Sequence, residues 1–311
     1  MAEGLGPNLR VRRWLVIALP LLVAVLIAVT LILHLSSSGS DNSDKWPNFG
    51  NPTCSNCAKF ASMSSFQLFL GGVPASIPSH LSYVEADLFD ISKAQINRLK
   101  TLASQGTVIG CYIDAGTYES WRPDAKSYPP SLLGKGDIGW IGERWVDIAD
   151  PNATIAQILE KRVKLCKERG FQAVDFDNVD GYQNNTGFKI SPTQQLSFNT
   201  FLANLAHHYG LLVALKNDLD QIKQLAPKFD FAVEESCIQY QACQNQQNLA
   251  DGESKFTATK AIFDVEYQDP SATVCRVAKN SNVTVNFTRL QLSTVEVSCQ
   301  SVLQDSMPAP Q

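Results

Sequence analysis

Histidine is scarce in this chain of 311 residues, and the scarcity disfavours several classes of enzyme. The four histidines are His34 in a long apolar run, His80 in a predicted loop, and the pair His207 and His208 on a predicted helix. None has the neighbours of a catalytic triad or of a metal site, and no G-x-S-x-G segment occurs. The sequence therefore argues against a serine hydrolase and against a zinc enzyme.

Signs of nucleotide or nucleic-acid binding are also missing. Residues 134–139 match G-x-G-x-x-G, but no predicted strand precedes them and no predicted helix follows. The formal net charge of the chain is −4. Residues 1–13 contain three Arg and one Glu, so the remainder of the chain has a more negative net charge. An acidic exterior disfavours nucleic acid and suits a cationic or neutral partner. No internal repeat is visible, and we predict no cofactor.

One apolar run, Trp14–Leu35, has about the ~20 residues that cross a bilayer as a helix. Three arginines precede it and favour a cytosolic N-terminus, so we expect a single-pass type II protein with a lumenal or extracellular domain. A cleaved signal peptide is the alternative, but its apolar region is usually shorter. The predicted segments are a cytoplasmic tail (1–13), a transmembrane signal anchor in the lipid bilayer (14–35), a stem linker (36–45), the folded domain (46–301) and a C-terminal tail (302–311).

Glycosylation and cysteine patterns fit this placement. N-x-[ST] sequons occur at Asn152, Asn184, Asn282 and Asn286. The chain has eight cysteines, an even number that reads as disulfides outside the cytosol.

Spacing suggests how some of these cysteines pair. Proximity in the chain predicts the disulfides Cys237–Cys243 and Cys275–Cys299. Cys54 and Cys57 form a C-x-x-C that has no second pair to complete a zinc site. Cys111 lies in a predicted strand and Cys166 in a predicted helix, and each is a candidate buried free thiol.

After residue 46, apolar runs of strand length alternate with helical patterns. The strand-like runs are Phe66–Leu70, Tyr83–Phe89, Thr107–Ile113, Trp145–Ile148, Ala173–Asp177, Leu211–Leu215, Phe229–Glu235, Lys260–Tyr267 and Val283–Phe287. The helical segments are one that begins after Ser92, Ala153–Arg169, Thr193–Tyr209 and Gln221–Ala226, and a long loop is expected over 116–142. The alternation predicts an α/β fold with a parallel sheet. The length of the domain matches the ~250 residues of a (β/α)₈ TIM-type barrel, with a doubly wound open sheet as the alternative.

Most of these predicted strands end in carboxylates. The acidic residues at or near strand ends are Asp87, Asp90, Asp114, Asp177, Asp180, Asp218, Glu234, Glu235, Asp264 and Glu266. Asp175 and Asp177 fall on one face of their strand because side chains alternate, and Glu234 and Glu235 must point in opposite directions. Since barrel active sites lie at the carboxyl ends of strands, we expect a single acidic mouth.

Paired carboxylates of this kind are what glycoside hydrolysis requires. Aromatic rings near the mouth, which can stack on sugars, are Tyr112, Tyr118, Trp121, Tyr182, Tyr240 and Tyr267. A second hypothesis is a metal-dependent hydrolase in which Asp175, Asp177 and Asp180 hold Mg²⁺ or Ca²⁺. A third is a non-catalytic polysaccharide-binding protein of the cell surface.

Several segments, taken in order, carry a family resemblance. They are CYIDAGTYESWRPD (111–124), GERW (142–145), VDFDNVDGY (174–182), GL (210–211), KND (216–218) and EESC (234–237). This series resembles the fungal type of the endo-α-1,4-polygalactosaminidase family of glycoside hydrolases. The resemblance implies a (β/α)₈ barrel that cleaves inside α-1,4-linked galactosamine polymers. The fungal substrate is galactosaminogalactan, a partly deacetylated, cationic polymer of walls and biofilms, which suits an acidic mouth.

The resemblance also implies roles for residues. Asp177 matches the family's nucleophile or base, and Glu235 its general acid. Phe176 stands where Pro is expected, Glu234 where Asn is expected and Asp114 where Ser is common, so the choice between Glu234 and Glu235 stays open. No metal ligand is implied. The residues expected to position the sugar are Asp87, Asp114, Tyr118, Trp121, Asp175, Asp180, Tyr182, Lys216, Asp218 and Glu234.

Overall fold

The computed structural model of the protein describes residues 45–50, 52, 60–61, 64–136, 139–244 and 260–305. The chain divides into two units, residues 1–44 and 45–311, and every described residue belongs to the second. The predicted anchor (14–35), the cytoplasmic tail and the C-x-x-C of Cys54 and Cys57 lie outside the described residues. Within the described part, no helix is long and apolar enough to cross a membrane.

Eight strands pair in parallel and form one curled sheet. They are β1 (Phe66–Phe69), β2 (Tyr83–Asp87), β3 (Val108–Asp114), β7 (Ala173–Asp177), β8 (Leu212–Lys216), β9 (Phe231–Glu235), β10 (Ile262–Glu266) and β11 (Thr284–Phe287). Neighbours in the sheet follow the order of the chain, and the short β12 (Val297–Ser298) pairs antiparallel with β11. The predicted α/β class with a parallel sheet is therefore confirmed.

Helices cover the outside of this sheet. They are α1 (Lys93–Ala103), α2 (Ala153–Arg169), α3 (Pro192–His208), α4 (Ile222–Leu225), α5 (Ala272–Asn280) and α6 (Cys299–Asp305). Ser92 and Gln95 form the capping box that starts α1, and Gly170 ends α2 at a φ of 92°, as their residue types predict. The connection over residues 70–82, between β1 and β2, contains no helix, so the strict strand–helix alternation of a (β/α)₈ barrel is not followed there.

The predicted strand Trp145–Ile148 does not join the parallel sheet. It overlaps β6 (Glu143–Val146), which forms a separate antiparallel sheet with β4 (Thr117–Glu119) and β5 (Leu133–Gly136). Two of its strands, β4 and β5, lie within the segment 116–142 that we expected to be a loop. Arg144 of β6 is exposed, and a sheet with one face in water must be antiparallel rather than part of a covered parallel core.

The interior of the curled sheet is filled by aromatic rings at the amino-terminal ends of the strands. Tyr83 stacks on Phe263 with ring centroids 5.4 Å apart, and Phe231 and Phe60 pack edge-on against them. Gly110 is required beside them, because a Cβ atom there would lie 1.9 Å from the Tyr83 hydroxyl oxygen. With this end closed, a cavity can open only at the carboxyl-terminal ends of the strands.

Side chains bridge the gap between the first and last parallel strands. No backbone pairing joins β1 to β11 within the described chain. Instead, the Asn286 side chain donates to the Phe66 carbonyl (2.7 Å) and to Glu296 Oε2 (2.8 Å). Glu296 Oε1 accepts from the Leu68 N–H (3.1 Å), and the Glu296 N–H donates to Gln67 Oε1 (2.7 Å). These bonds satisfy buried backbone groups that have no strand partner.

Three disulfides stabilise the described part of the chain. Cys237–Cys243 and Cys275–Cys299 confirm the pairing predicted from proximity in sequence. The third joins Cys111 of β3 to Cys166 of α2, so the prediction of free thiols at these positions is wrong. Cys111 faces outward from the sheet, and the buried face of α2 packs against that side, which brings the two sulfur atoms together.

Candidate active site

A cavity of about 1220 Å³ opens at the carboxyl-terminal ends of the parallel strands. The predicted site residues that line it are Asp87, Asp114, Trp121, Asp177, Asp180, Lys216 and Glu235. Five of them, Asp87, Asp114, Asp177, Lys216 and Glu235, each lie at the end of a different strand, and the parallel topology brings these distant parts of the chain to one place. The acidic mouth expected from the sequence is therefore formed, although with fewer members than predicted.

Three side chains at the floor of the cavity form one hydrogen-bonded group. Lys216 Nζ lies 3.0 Å from Asp177 Oδ1 and 3.1 Å from Glu235 Oε2. The lysine side chain is only 4% exposed, whereas Asp177 and Glu235 are 20% and 35% exposed. Burial opposes the charge of Lys216, but the carboxylates of Asp177 and Glu235 raise its pKa. The Lys216 side chain therefore stays protonated between the two acids.

Two tyrosine hydroxyls hold the opposite sides of these carboxylates. Tyr112 donates to Asp177 Oδ2 at 2.8 Å, and Tyr267 donates to Glu235 Oε1 at 2.5 Å. The sequence analysis placed both rings near the mouth but assigned them no bond to a carboxylate. Burial would raise the pKa of Asp177, but Lys216, the backbone N–H of Asn178 and Tyr112 together lower it. Asp177 is therefore ionised, as a nucleophile or base must be.

Each of the three central residues is followed by a residue in the left-handed region of backbone conformation. The φ angles are 58° at Asn178, 48° at Asn217 and 56° at Ser236. Non-glycine residues adopt this region at an energetic cost, and such residues cluster at functional sites. The sharp bend ends each strand directly after its functional side chain, which leaves that side chain at the edge of the cavity.

A second network lies beside Asp177 and is centred on Asp114, which we predicted, whereas its other members, Thr117, Asn178 and Glu143, were not predicted. Asp114 accepts from the Thr117 N–H (2.8 Å) and from Asn178 Nδ2 (2.9 Å). The Thr117 hydroxyl lies between the carboxyl groups of Asp114 and Glu143, 2.6 Å from Glu143 Oε1, and its single proton can be donated to only one of them at a time. Burial raises the pKa of Asp114, and the charges of Asp177 and Glu143 raise it further. Asn178, within the DNVD motif, thus ties the loop that follows Asp177 to the Asp114 carboxylate.

Arg122, from the WRPD motif, binds a third group of acidic side chains, which lies on the cavity wall. It makes two bonds to Asp87 (2.8 and 2.5 Å), two to Glu119 (2.6 and 2.7 Å), and one to Asp90 (3.1 Å). Burial raises the pKa of Glu119 to about 7, even though the Arg122 bond opposes the shift. The sequence could not identify this role of Arg122, because Asp87 and Asp90 lie more than 30 residues away from it in the chain.

Directly beneath the central group lie two carboxyl side chains without exposure to solvent, Glu85 and Asp175. The Tyr83 hydroxyl donates to Glu85, whereas neither Asp175 oxygen has a hydrogen-bond partner. Burial raises the pKa of Glu85 to about 7 and raises the pKa of Asp175, where the Glu85 charge adds to the effect. Asp175 shares the strand face of Asp177 as predicted, but it does not line the cavity.

Three other predicted sugar-binding residues also lie outside the cavity wall. Tyr118 packs edge-on against Tyr128, with ring centroids 5.5 Å apart. Tyr182 donates to Asp218 at 2.9 Å, and Asn199 donates to the other oxygen of Asp218 at 2.9 Å. Burial raises the pKa of Asp218 to about 7. These side chains support the loops behind the cavity rather than its surface.

The outward-facing carboxylates of β9 and β10 also lie away from the cavity. Glu234 is buried on the face of β9 opposite to Glu235, next to Asp264 in register. Asp264 accepts from the Cys237 N–H (3.1 Å), and Glu266 accepts from the N–H groups of Ile238 (3.0 Å) and Gln239 (2.9 Å). The prediction that these acids join the mouth is wrong, because they point away from the interior of the sheet, where Asp264 and Glu266 hold the backbone of the loop after β9.

The geometry also bears on the metal-site hypothesis. In the described residues, no group of three or more acidic, cysteine or histidine side chains is placed to hold a metal ion. Asp175 lies below the cavity floor, whereas Asp177 is engaged by Lys216 and Tyr112. Asp175, Asp177 and Asp180 therefore do not form the ligand set that we predicted.

The four sequons differ in accessibility. Asn152 caps α2, Asn282 is half-buried, and Asn184 is exposed at the cavity rim. Asn286 is 1% exposed, and its side-chain amide is used in the bridge between β1 and β11. The expected glycan at Asn286 is therefore incompatible with the folded domain.

Two carboxylates held by one lysine on the floor of a cavity, at the carboxyl-terminal edge of a curled parallel sheet, are the arrangement expected of a glycoside hydrolase of TIM-like fold. The chain belongs to glycoside-hydrolase family GH114, whose model matches residues 51–304. This match confirms the predicted enzyme class and agrees with the resemblance seen in the sequence.

Solved structures agree with this assignment. Ega3 of Aspergillus fumigatus, in complex with galactosamine, is 28% identical, with a TM-score of 0.70 over 80% of this chain and 100% of that chain. The glycoside hydrolase domain of PelA from Pseudomonas aeruginosa is 14% identical, with a TM-score of 0.57 over 76% of this chain and 98% of that chain. The second similarity supports the fold alone. None of the curated proteins matched the sequence.

Proposed function

We propose that the protein is an endo-acting hydrolase that cleaves α-1,4-galactosaminidic bonds in a partly deacetylated polymer of the galactosaminogalactan type. The observation that carries this proposal is the pair Asp177 and Glu235, held by one lysine in an acidic cavity. The similarity to Ega3, which was solved with galactosamine, supports the sugar class. Deacetylated galactosamine units carry ammonium groups, which a wall of carboxylates attracts.

The distance between the two acids favours a retaining mechanism. Both carboxylate oxygens lie within 3.1 Å of Lys216 Nζ, so they cannot be more than about 6 Å apart. Retaining enzymes separate their carboxyl groups by about 5–5.5 Å, whereas inverting enzymes need about 6.5–9.5 Å to admit a water molecule.

The bond would then be broken in two steps. Asp177 attacks the anomeric carbon and forms a glycosyl ester while Glu235 gives its proton to the departing sugar oxygen. Glu235 then takes a proton from water, which hydrolyses the ester and releases Asp177. Glu235 is the more exposed of the two acids, so it can exchange its proton with solvent between turnovers.

Product analysis tests this function. The purified protein is incubated with de-N-acetylated galactosaminogalactan, and the products are sized over time. Endo-cleavage should shorten the polymer rapidly into mixed oligosaccharides, and NMR should first detect the α-anomer, as retention requires. Release of single sugars alone would contradict endo-cleavage, and an initial β-anomer would contradict retention. Binding without shortening of the polymer would instead favour a non-catalytic polysaccharide-binding protein.

We also propose that residues 14–35 anchor the protein as a single-pass type II membrane protein with its catalytic domain outside the cytosol. The three disulfides support this, because such bonds persist in oxidising compartments. Alkaline carbonate extraction of membranes should leave the protein in the pellet, and the domain should carry glycans removable by an endoglycosidase. Recovery of unglycosylated protein in the soluble fraction would contradict this topology.

A further inference from the structure

Two tryptophan side chains stand exposed where the cavity meets the surface. Trp121 is 46% exposed and Trp140 is 51% exposed, and both line the cavity. Indole rings are usually well covered in a folded domain, and exposed apolar groups beside a cavity mark binding surfaces. Tyr240 is 75% exposed but does not line the cavity, so exposure alone does not single out the two tryptophans.

The backbone holds both rings on the small antiparallel sheet. Trp140 lies just before β6, in a turn where its carbonyl accepts from the Glu143 N–H at 3.3 Å. The Ser120 N–H donates to the Gly142 carbonyl at 3.1 Å, which fastens this turn to the residue next to Trp121. Gly142 has a φ of 97°, and a Cβ atom there would lie 2.3 Å from Ser120 Oγ. The turn at Gly142 therefore packs closely against Ser120, next to Trp121.

The neighbouring Arg122 side chain also holds the Trp121 ring in position. The Arg122 guanidinium lies 5.9 Å from the Trp121 ring centroid and is itself fixed by its bonds to Asp87 and Glu119. A ring that is already positioned loses little conformational freedom on binding, so it contributes more of its contact energy to affinity.

The cavity is larger than one sugar unit needs. Its volume of about 1220 Å³ exceeds the ~300–1,000 Å³ of ordinary small-molecule pockets. The cleaving acids occupy its floor, whereas the tryptophans stand at its exposed rim. Sugar units away from the scissile bond would therefore pass along the tryptophans.

We propose that Trp140 and Trp121 form an aromatic platform that binds hexosamine units of the polymer remote from the bond that Asp177 and Glu235 cleave. The apolar face of the pyranose ring stacks on an indole, and a nearby ammonium group adds a cation–π attraction. The platform rests on the proposed function, and it makes the enzyme prefer long chains, because short oligosaccharides cannot reach Trp140 while they occupy the cleaving acids.

The test is Trp140→Ala, measured with the long polymer and with the shortest oligosaccharide that the wild-type protein cleaves. We expect kcat/KM on the polymer to fall about tenfold, the loss of one stacking contact, while the short substrate changes less than about twofold. Trp140→Phe keeps an aromatic ring at this position, so this variant should retain most of the activity on the polymer. Tyr240→Ala removes an exposed ring that lies outside the cavity, so this control variant should behave as wild type.

Three results would overturn the platform: an unchanged polymer rate in Trp140→Ala, an equal loss on both substrates, or the same loss in Tyr240→Ala. Equilibrium binding of the polymer separates the platform from the proposed function. If the wild-type protein binds the polymer through Trp140 but does not shorten it, the proposed function fails and the platform stands. If it cleaves the polymer but Trp140→Ala binds as tightly as wild type, the platform fails alone.

Discussion

Asp177→Asn and Glu235→Gln are each expected to lower kcat by about 10³-fold or more. Asn cannot supply the charged oxygen that attacks the anomeric carbon, and Gln cannot transfer a proton to the departing sugar. Both amides keep the size of the side chain they replace, so the fold should be retained. The measurement is the initial rate of polymer shortening, with circular dichroism and thermal unfolding to verify the fold.

Glu234→Gln is the matched control for this pair. Glu234 precedes Glu235 in the same strand but lies buried on the opposite face, so its substitution should leave kcat within about threefold of wild type. Near-normal rates in Asp177→Asn and Glu235→Gln would end the two-carboxylate assignment. Loss of activity in Glu234→Gln with normal activity in Glu235→Gln would reverse the choice between the neighbours.

Replacing Lys216 by Met should lower kcat/KM by about 10²-fold and shift its pH dependence. Burial raises the pKa of Asp177, and Lys216 is the chief group that brings it down. Without the cation the pKa of Asp177 rises, while the nucleophile still works only when ionised. The acid limb of the profile of kcat/KM against pH should therefore move to higher pH.

Lys135→Met is the control for the lost charge. Lys135 also lines the cavity, but its Nζ donates to Asn185 Oδ1 at 2.7 Å rather than to either central acid. We expect its acid limb to coincide with that of wild type. An acid limb that stays in place in Lys216→Met would show that another group sets the ionisation of Asp177.

Much of the site could be predicted from local pattern. The alternation of side chains placed Asp175 and Asp177 on one strand face and separated Glu234 from Glu235, and the structure confirms both arrangements. Parallel topology then brought Asp87, Asp114, Asp177 and Glu235 to one edge. These predictions succeeded because each depends on strand geometry and strand order alone.

Asp264 and Glu266 show where that reasoning stops. Both follow apolar residues at the end of a strand, as Asp177 does, yet they face outward. Covered parallel strands are apolar on both faces, so the sequence does not reveal which alternate set faces the interior. The parity is set by packing: Phe263 and Val265 fill the interior of the sheet, and Asp264 between them must point away.

Contacts between distant segments are the other feature that could not be predicted from the sequence. Cys111 and Cys166 are separated by 55 residues, and only the packing of α2 against β3 brings them together. Arg122 likewise meets Asp87 across 35 residues. Neither pair has a spacing that a local pattern could detect, because the intervening sheet and helix determine where the chain returns.

The bridge at Glu296 has a consequence for how the chain matures during synthesis. Gln67 and Glu296 are separated by 229 residues, so the interior stays open along one side until almost the whole domain has left the ribosome. During that interval β1 presents an uncovered edge, the kind of surface on which strands of other molecules assemble. A nascent or truncated chain that ends before Glu296 would keep that edge uncovered. Such a chain would be prone to aggregate because it lacks the C-terminal segment, even though its catalytic residues are present.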